Sequence, residues 1–127
     1  MEPKSKKVLI VDDDLLILNM LKDTFSQAGF EISTAENGEE GLKTAETFKP
    51  NIILLDIVMP KMDGITMLKY LRQTQWGQEI PVIILTSLKD SGNISTAMEY
   101  KVFQYVVKPD FKPQTILEST KEILSGQ

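Results

Sequence analysis

IILLDIVMPKMDG, residues 52–64, decides how this chain folds. Its first four residues, Ile52 to Leu55, are apolar without a polar break and run into Asp56, and Pro60, Asp63 and Gly64 punctuate the stretch after it. A short, wholly apolar run bounded by turn residues suits a strand buried on both faces, the situation of a parallel sheet covered by helices. The same pattern recurs at Val8 to Val11, Ile32 to Ala35, Val82 to Leu85 and Phe103 to Val107, so five strands are expected. Between them apolar residues recur at three- and four-residue steps: Ile17, Leu18, Leu21, Phe25 and Ala28, then Leu42, Ala45 and Phe48, then Ile65, Leu68 and Leu71. These are core-facing helix stripes. A last helix opens with Pro113 near its first position and carries Ile116, Leu117, Thr120, Ile123 and Leu124 along one face. The segment from Ser91 to Tyr100 has only Ile94, Ala97 and Met98 as apolar positions and predicts a marginal fourth helix. Asn37-Gly38 followed by Glu40 resembles a capping box, and Lys49-Pro50 ends that helix.

Alternating strands and helices predict an α/β fold: a doubly wound, five-stranded parallel sheet in strand order 2-1-3-4-5, with right-handed crossovers and helices on both faces. The 127 residues are expected to form a single domain, 1–127, with its core from about 7 to 125. With 42% apolar and 25% charged residues the chain has the composition of a packed domain. Eighteen acidic against fourteen basic side chains, a net charge of −4, argue against direct contact with nucleic acid. No cysteine and no histidine are present, which excludes thiolate chemistry and zinc sites built on sulfur or imidazole. The start, Met1 to Lys7, lacks the apolar stretch of a signal peptide, and no run approaches a membrane span, so a cytoplasmic location without membrane contact is expected.

Ligands of doubly wound sheets bind at the carboxyl ends of the strands, near the point where the strand order reverses. There this sequence places Asp12-Asp13-Asp14 after the first strand, Asp56 after the third, Thr86-Ser87 after the fourth and Lys108 after the fifth. Singly each has an ordinary explanation, and Asp14 suits a helix cap. Together they form a chemically coherent set. Carboxylates without nitrogen or sulfur ligands suit a hard cation, Mg²⁺ above all, and the ammonium of Lys108 would complete a neutral arrangement that a phosphoryl anion could join. A carboxylate is also a competent nucleophile toward phosphorus, and Asp56, held by the rigid apolar strand before it, is the best placed.

VLIVDDD (residues 8–14), IILLDIVMPKMDG, VIILTS (82–87) and FQYVVKP (103–109) together resemble the response-regulator receiver family of two-component signalling over nearly the whole chain. The resemblance implies that Asp56 accepts a phosphoryl group from a histidine kinase or phosphotransfer protein. It implies that Asp12, Asp13, Asp56 and the backbone carbonyl of Val58 hold Mg²⁺, and that Thr86 and Lys108 contact the phosphoryl oxygens. Thr86 and Tyr105 then correspond to the family's switch pair, Val58 and Leu88 to the positions flanking the attacking water, and Lys108-Pro109 to a cis peptide. The expected role is a phosphoryl acceptor that assists its own phosphorylation and dephosphorylation, not an enzyme, and whose switch controls binding of an output partner that the sequence does not name.

Some positions depart from the family pattern. Lys101-Val102 stands where Gly-Ala is common before the fifth strand, so a left-handed glycine cap cannot be assumed there. Asp110 separates Lys108-Pro109 from Phe111 where the family has Phe directly. The only arginine, Arg72, lies on the third helix, which does not suit the arginine-rich dimer faces of many transcriptional receivers. Two other classes fit less well. A phosphatase of the haloacid-dehalogenase type needs a second Asp where Val58 stands, and a flavin phosphate would be repelled by the three aspartates after the first strand.

Overall fold

The structure is a computed structural model that describes residues 6–87, 91–102, 104–108 and 112–126, with 86–87, 91–94 and 104–108 described by backbone alone. The elements in chain order are β1 (Lys7–Val11), α1 (Leu15–Gln27), β2 (Glu31–Ala35), α2 (Gly38–Phe48), β3 (Ile52–Asp56), α3 (Gly64–Gln73), β4 (Val82–Ser87), α4 (Ser91–Met98), β5 (Gln104–Lys108) and α5 (Pro113–Ser125). The strands pair in parallel in the order β2-β1-β3-β4-β5, so the winding reverses between β1 and β3.

Alternate residues of a strand face opposite sides of the sheet. Leu9, Val11, Ile53, Leu55, Val82 and Ile84 pack on one side with Ala45 of α2 and Met67, Leu68 and Leu71 of α3. Val8, Ile10, Ile52, Leu54, Ile83 and Leu85 pack on the other with Leu18, Leu21 and Phe25 of α1 and Ile116 and Leu117 of α5. Both sides of β1, β3 and β4 are therefore dry, which is why their sequences carry no polar alternation.

Several expectations shift in detail. Ala28 is not a core residue but the exposed C-cap of α1. Gly29 takes φ 93°, its N–H and that of Phe30 bond back to Ser26 and Phe25, and the Phe30 ring packs 5.4 Å from Phe25, a Schellman ending with its apolar clasp. Met67 joins the buried stripe of α3. β5 is described from Gln104 to Lys108; Phe103, where the sequence places its start, lies outside the described residues, as do Asp110 and Phe111. The weak α4 spans eight residues, with Ala97 buried and Met98 about half exposed.

At Lys101, where a glycine cap could not be assumed, the backbone takes a left-handed φ of 63° without glycine. Arg72 supplies the physical reason. Its guanidinium donates from Nε to the Tyr100 carbonyl (2.7 Å), from Nη2 to the Lys101 carbonyl (3.1 Å), and from Nη1 to the carbonyls of Gly77 and Ile80 (both 2.8 Å). One side chain thus fastens the end of α3, the loop before β4 and the turn after α4. Burial pulls the Arg72 pKa below its ordinary value, while nearby Glu79 opposes that shift.

Candidate functional site

The expected acidic site residues gather where β1 and β3 end side by side, at the reversal of the winding. Asp12 follows β1 directly and is buried, its N–H donating to the Ala35 carbonyl at 3.0 Å, so the backbone holds the sheet register into the site. Its Oδ1 accepts the Asp14 N–H at 2.9 Å. Asp14 in turn caps α1, its Oδ1 accepting from Leu16 (3.0 Å) and Ile17 (3.3 Å). Of the three consecutive aspartates, then, the third is committed to the helix end. Asp56 closes β3 as its last, buried residue, opposite Leu85 of β4.

One carboxylate oxygen from each of Asp12, Asp13 and Asp56 lies within 4.8 Å of the others; Asp12 and Asp56 are buried and Asp13 is exposed. Three carboxylates so close repel one another unless a positive charge joins them. An all-oxygen donor set at the carboxyl ends of the strands fits a hard divalent cation, with Asp13 as its exposed member.

The loop from Ile57 to Asp63 is held at several points. The Gly64 N–H donates to the Ile57 carbonyl at 2.8 Å, and Asp63 caps α3 by accepting from Thr66 at 2.7 Å. Gly64 lies against β3 so closely that a Cβ there would run into the Asp56 carbonyl oxygen. Lys61 takes a left-handed φ of 65° and the Met62 N–H bonds back to Pro60 at 2.7 Å, a three-residue turn at the loop tip. Val58, two residues after Asp56, is 61% exposed.

The remaining expected site residues are placed by backbone. Thr86 pairs with Val107, Ser87 with Lys108 and Ile84 with Tyr105, which brings the positions of Thr86 and Lys108 to the same edge as Asp56. Their side chains, like that of Tyr105, are not among the described ones; Leu88 and Pro109, with the expected cis bond, lie outside the described residues.

The chain matches the profile described as the response regulator receiver domain over residues 8–121. It belongs to that family. The receiver domain is 38% identical over 120 residues to the alkaline phosphatase synthesis transcriptional regulatory protein PhoP of Bacillus subtilis, covering 94% of this chain and 49% of that protein. It spans about half the length of the curated relatives it matches. Among solved structures, a CheY-like receiver domain protein from Methanospirillum hungatei superposes with a TM-score of 0.89 at 30% identity, covering 97% of this chain and 96% of that one. The chemotaxis response regulator CheY4 of Vibrio cholerae superposes at 0.86, also at 30% identity, covering 94% of this chain and 99% of that one.

Sequence reasoning finds the acidic cluster and reads Asn37-Gly38 as helix capping alone; the structure adds that the Gly38 N–H donates across to the Met62 carbonyl at 2.8 Å.

Proposed function

We propose that this receiver domain takes a phosphoryl group onto Asp56 from a phosphorylated histidine kinase or phosphotransfer protein, and that the modified domain changes which partner it binds. The observation that carries this reading is the convergence of Asp12, Asp13 and Asp56 within 4.8 Å at the β1/β3 reversal of a receiver-family chain. Asp12, Asp13, Asp56 and the Val58 carbonyl would hold Mg²⁺, which supplies positive charge to the phosphoryl oxygens as they pass between donor and acceptor.

One carboxylate oxygen of Asp56 attacks phosphorus in line while the bond from phosphorus to the donor breaks, and the donor leaves with that electron pair. Burial of Asp56 at the end of a strand packed on both sides fixes the direction of attack. Lys108 and Thr86 contact the phosphoryl oxygens, and Tyr105 follows Thr86 in the switch. A ligand shifts such an equilibrium only if one state makes contacts the other lacks, and the threonine contact is that difference. Val58 and Leu88 flank the water that would hydrolyse the acyl phosphate; neither side chain can orient it by hydrogen bonding, so hydrolysis is slow. Residues 1–127 act as one receiver domain that works in the cytoplasm through protein partners and makes no direct nucleic-acid contact itself. No helix among the described residues is long and apolar enough to cross a membrane.

Incubation with acetyl phosphate and Mg²⁺ followed by peptide mass spectrometry tests the assignment. One phosphoryl group on the peptide containing Asp56 is expected. Equal labelling of Asp56→Asn would overturn it.

A further inference from the structure

We propose that Gly38 is a positioning residue for the cation site, because its N–H and its missing side chain let α2 hold the loop that carries Val58 in place. The proposal rests on the metal-binding reading of the acidic cluster and concerns a residue on a different element from any of the expected ligands.

The first N–H groups of a helix have no partner within the helix. At α2 Asn37 meets one of them, accepting from the Glu40 N–H at 2.8 Å, while the Glu40 side chain accepts from Glu36 at 3.2 Å. The Gly38 N–H is not met locally. It crosses to the loop after β3 and donates to the Met62 carbonyl at 2.8 Å. The contact leaves no space: a Cβ on Gly38 would sit 2.6 Å from the Met62 carbonyl oxygen, 2.9 Å from Met62 Cγ and 3.0 Å from the Asp63 carbonyl oxygen. Gly38 is not among the residues with positive φ, so space and not backbone conformation demands glycine there.

The other end of the same loop is closed by Gly64 on Ile57. With its base tied to β3 and its tip tied to α2, the segment has little freedom at Val58, whose carbonyl needs a fixed place beside Asp56. Outer contacts that orient a ligand matter to a metal nearly as much as the ligands do. Adding a methyl group at Gly38 must push Met62 away and carry the loop with it. Gly41 offers a matched control one turn along: its Cβ would meet Met67 Sδ at 2.8 Å and Val11 Cγ1 at 3.2 Å, crowding the core without touching the loop.

The test is Mg²⁺ titration calorimetry on the full chain, comparing wild type with Gly38→Ala, Gly41→Ala, Asn37→Ala and Asp13→Ala, with urea unfolding of each. Gly38→Ala is expected to weaken Mg²⁺ binding roughly tenfold. Gly41→Ala and Asn37→Ala should lose stability yet bind Mg²⁺ like wild type. Equal affinity in Gly38→Ala, or equal weakening in Gly41→Ala, overturns the positioning role while Asp13→Ala still reports on the site. Wild type that shows no binding sensitive to Asp13→Ala overturns the metal reading and this inference with it. Wild-type amide NMR gives a second readout that needs no variant to fold: the Gly38 resonance should move with the same Mg²⁺ midpoint as those of Ile57 to Met59, with Gly41 unmoved. A silent Gly38 amide contradicts the proposal.

Discussion

At the N-terminal end of α3, backbone meets backbone: Gly64 presses on the Asp56 carbonyl, its N–H bonds to Ile57, and the loop between them is fastened to α2 through Met62 and Gly38. At the C-terminal end of the same helix, a single flexible side chain, Arg72, spreads over four carbonyls in two loops. The first arrangement permits almost no adjustment, and it lies beside the acidic cluster. The second works through a side chain that can rotate, and it lies far from the cluster along the helix; each loop contains one left-handed lysine, Lys61 in the first and Lys101 in the second. Rigid contact without side chains borders the acidic cluster; a forked cation ties the scaffold.

Gly64→Ala should break the first arrangement most severely. The added carbon collides with main chain, which cannot rotate away as a side chain can, so a stability loss of about 3 kcal/mol in urea unfolding is expected. A loss below about 1 kcal/mol would mean that the loop yields and that the close approach is not restrictive.

Arg72→Met should break the second arrangement while sparing the first. Four carbonyls lose their donor, some regaining water, for a loss of about 2 kcal/mol and faster hydrogen exchange near Tyr100 to Val102. Arg72→Lys should recover less than half of it, because a single ammonium cannot span the fork. Phosphorylation of Asp56 should persist in both variants at temperatures where they are folded. Its loss would show that the two ends of α3 are not separable.

Lys101→Gly sharpens the comparison with the smallest effect. Relief of the left-handed lysine outweighs the extra entropy of unfolded glycine, for a gain of about 0.5 kcal/mol. The exposed 3.5 Å pair between Lys101 and Glu79 that disappears contributes little. A clear loss of stability would mean that Arg72 depends on the lysine side chain and not on the backbone it grips.

These contrasts also explain how much is legible in the sequence. The buried runs of β1, β3 and β4 are readable because burial on both faces leaves no alternative to continuous apolar residues. The acidic cluster is readable because parallel strands bring all their carboxyl ends to one edge, so Asp12, Asp13 and Asp56 have to meet. Asp14 is separable from its neighbours only by its local bond to the helix. The left-handed turn at Lys101 is not legible because the Arg72 side chain that grips its carbonyl lies 29 residues away, and no residue type announces such a contact. Gly38 escapes for a related reason. A glycine beside a cap residue looks like turn chemistry, and its other partner, Met62, comes near only once β1 and β3 have paired.

Fluorine NMR of the protein with beryllofluoride, which mimics a phosphoryl group on a carboxylate, tests the central claim most directly. Protein-bound fluoride resonances should appear for wild type in Mg²⁺, vanish when the cation is chelated, and be absent from Asp56→Asn. Bound resonances that survive in Asp56→Asn, or that form equally well in chelator, would contradict a cation-dependent acceptor at Asp56.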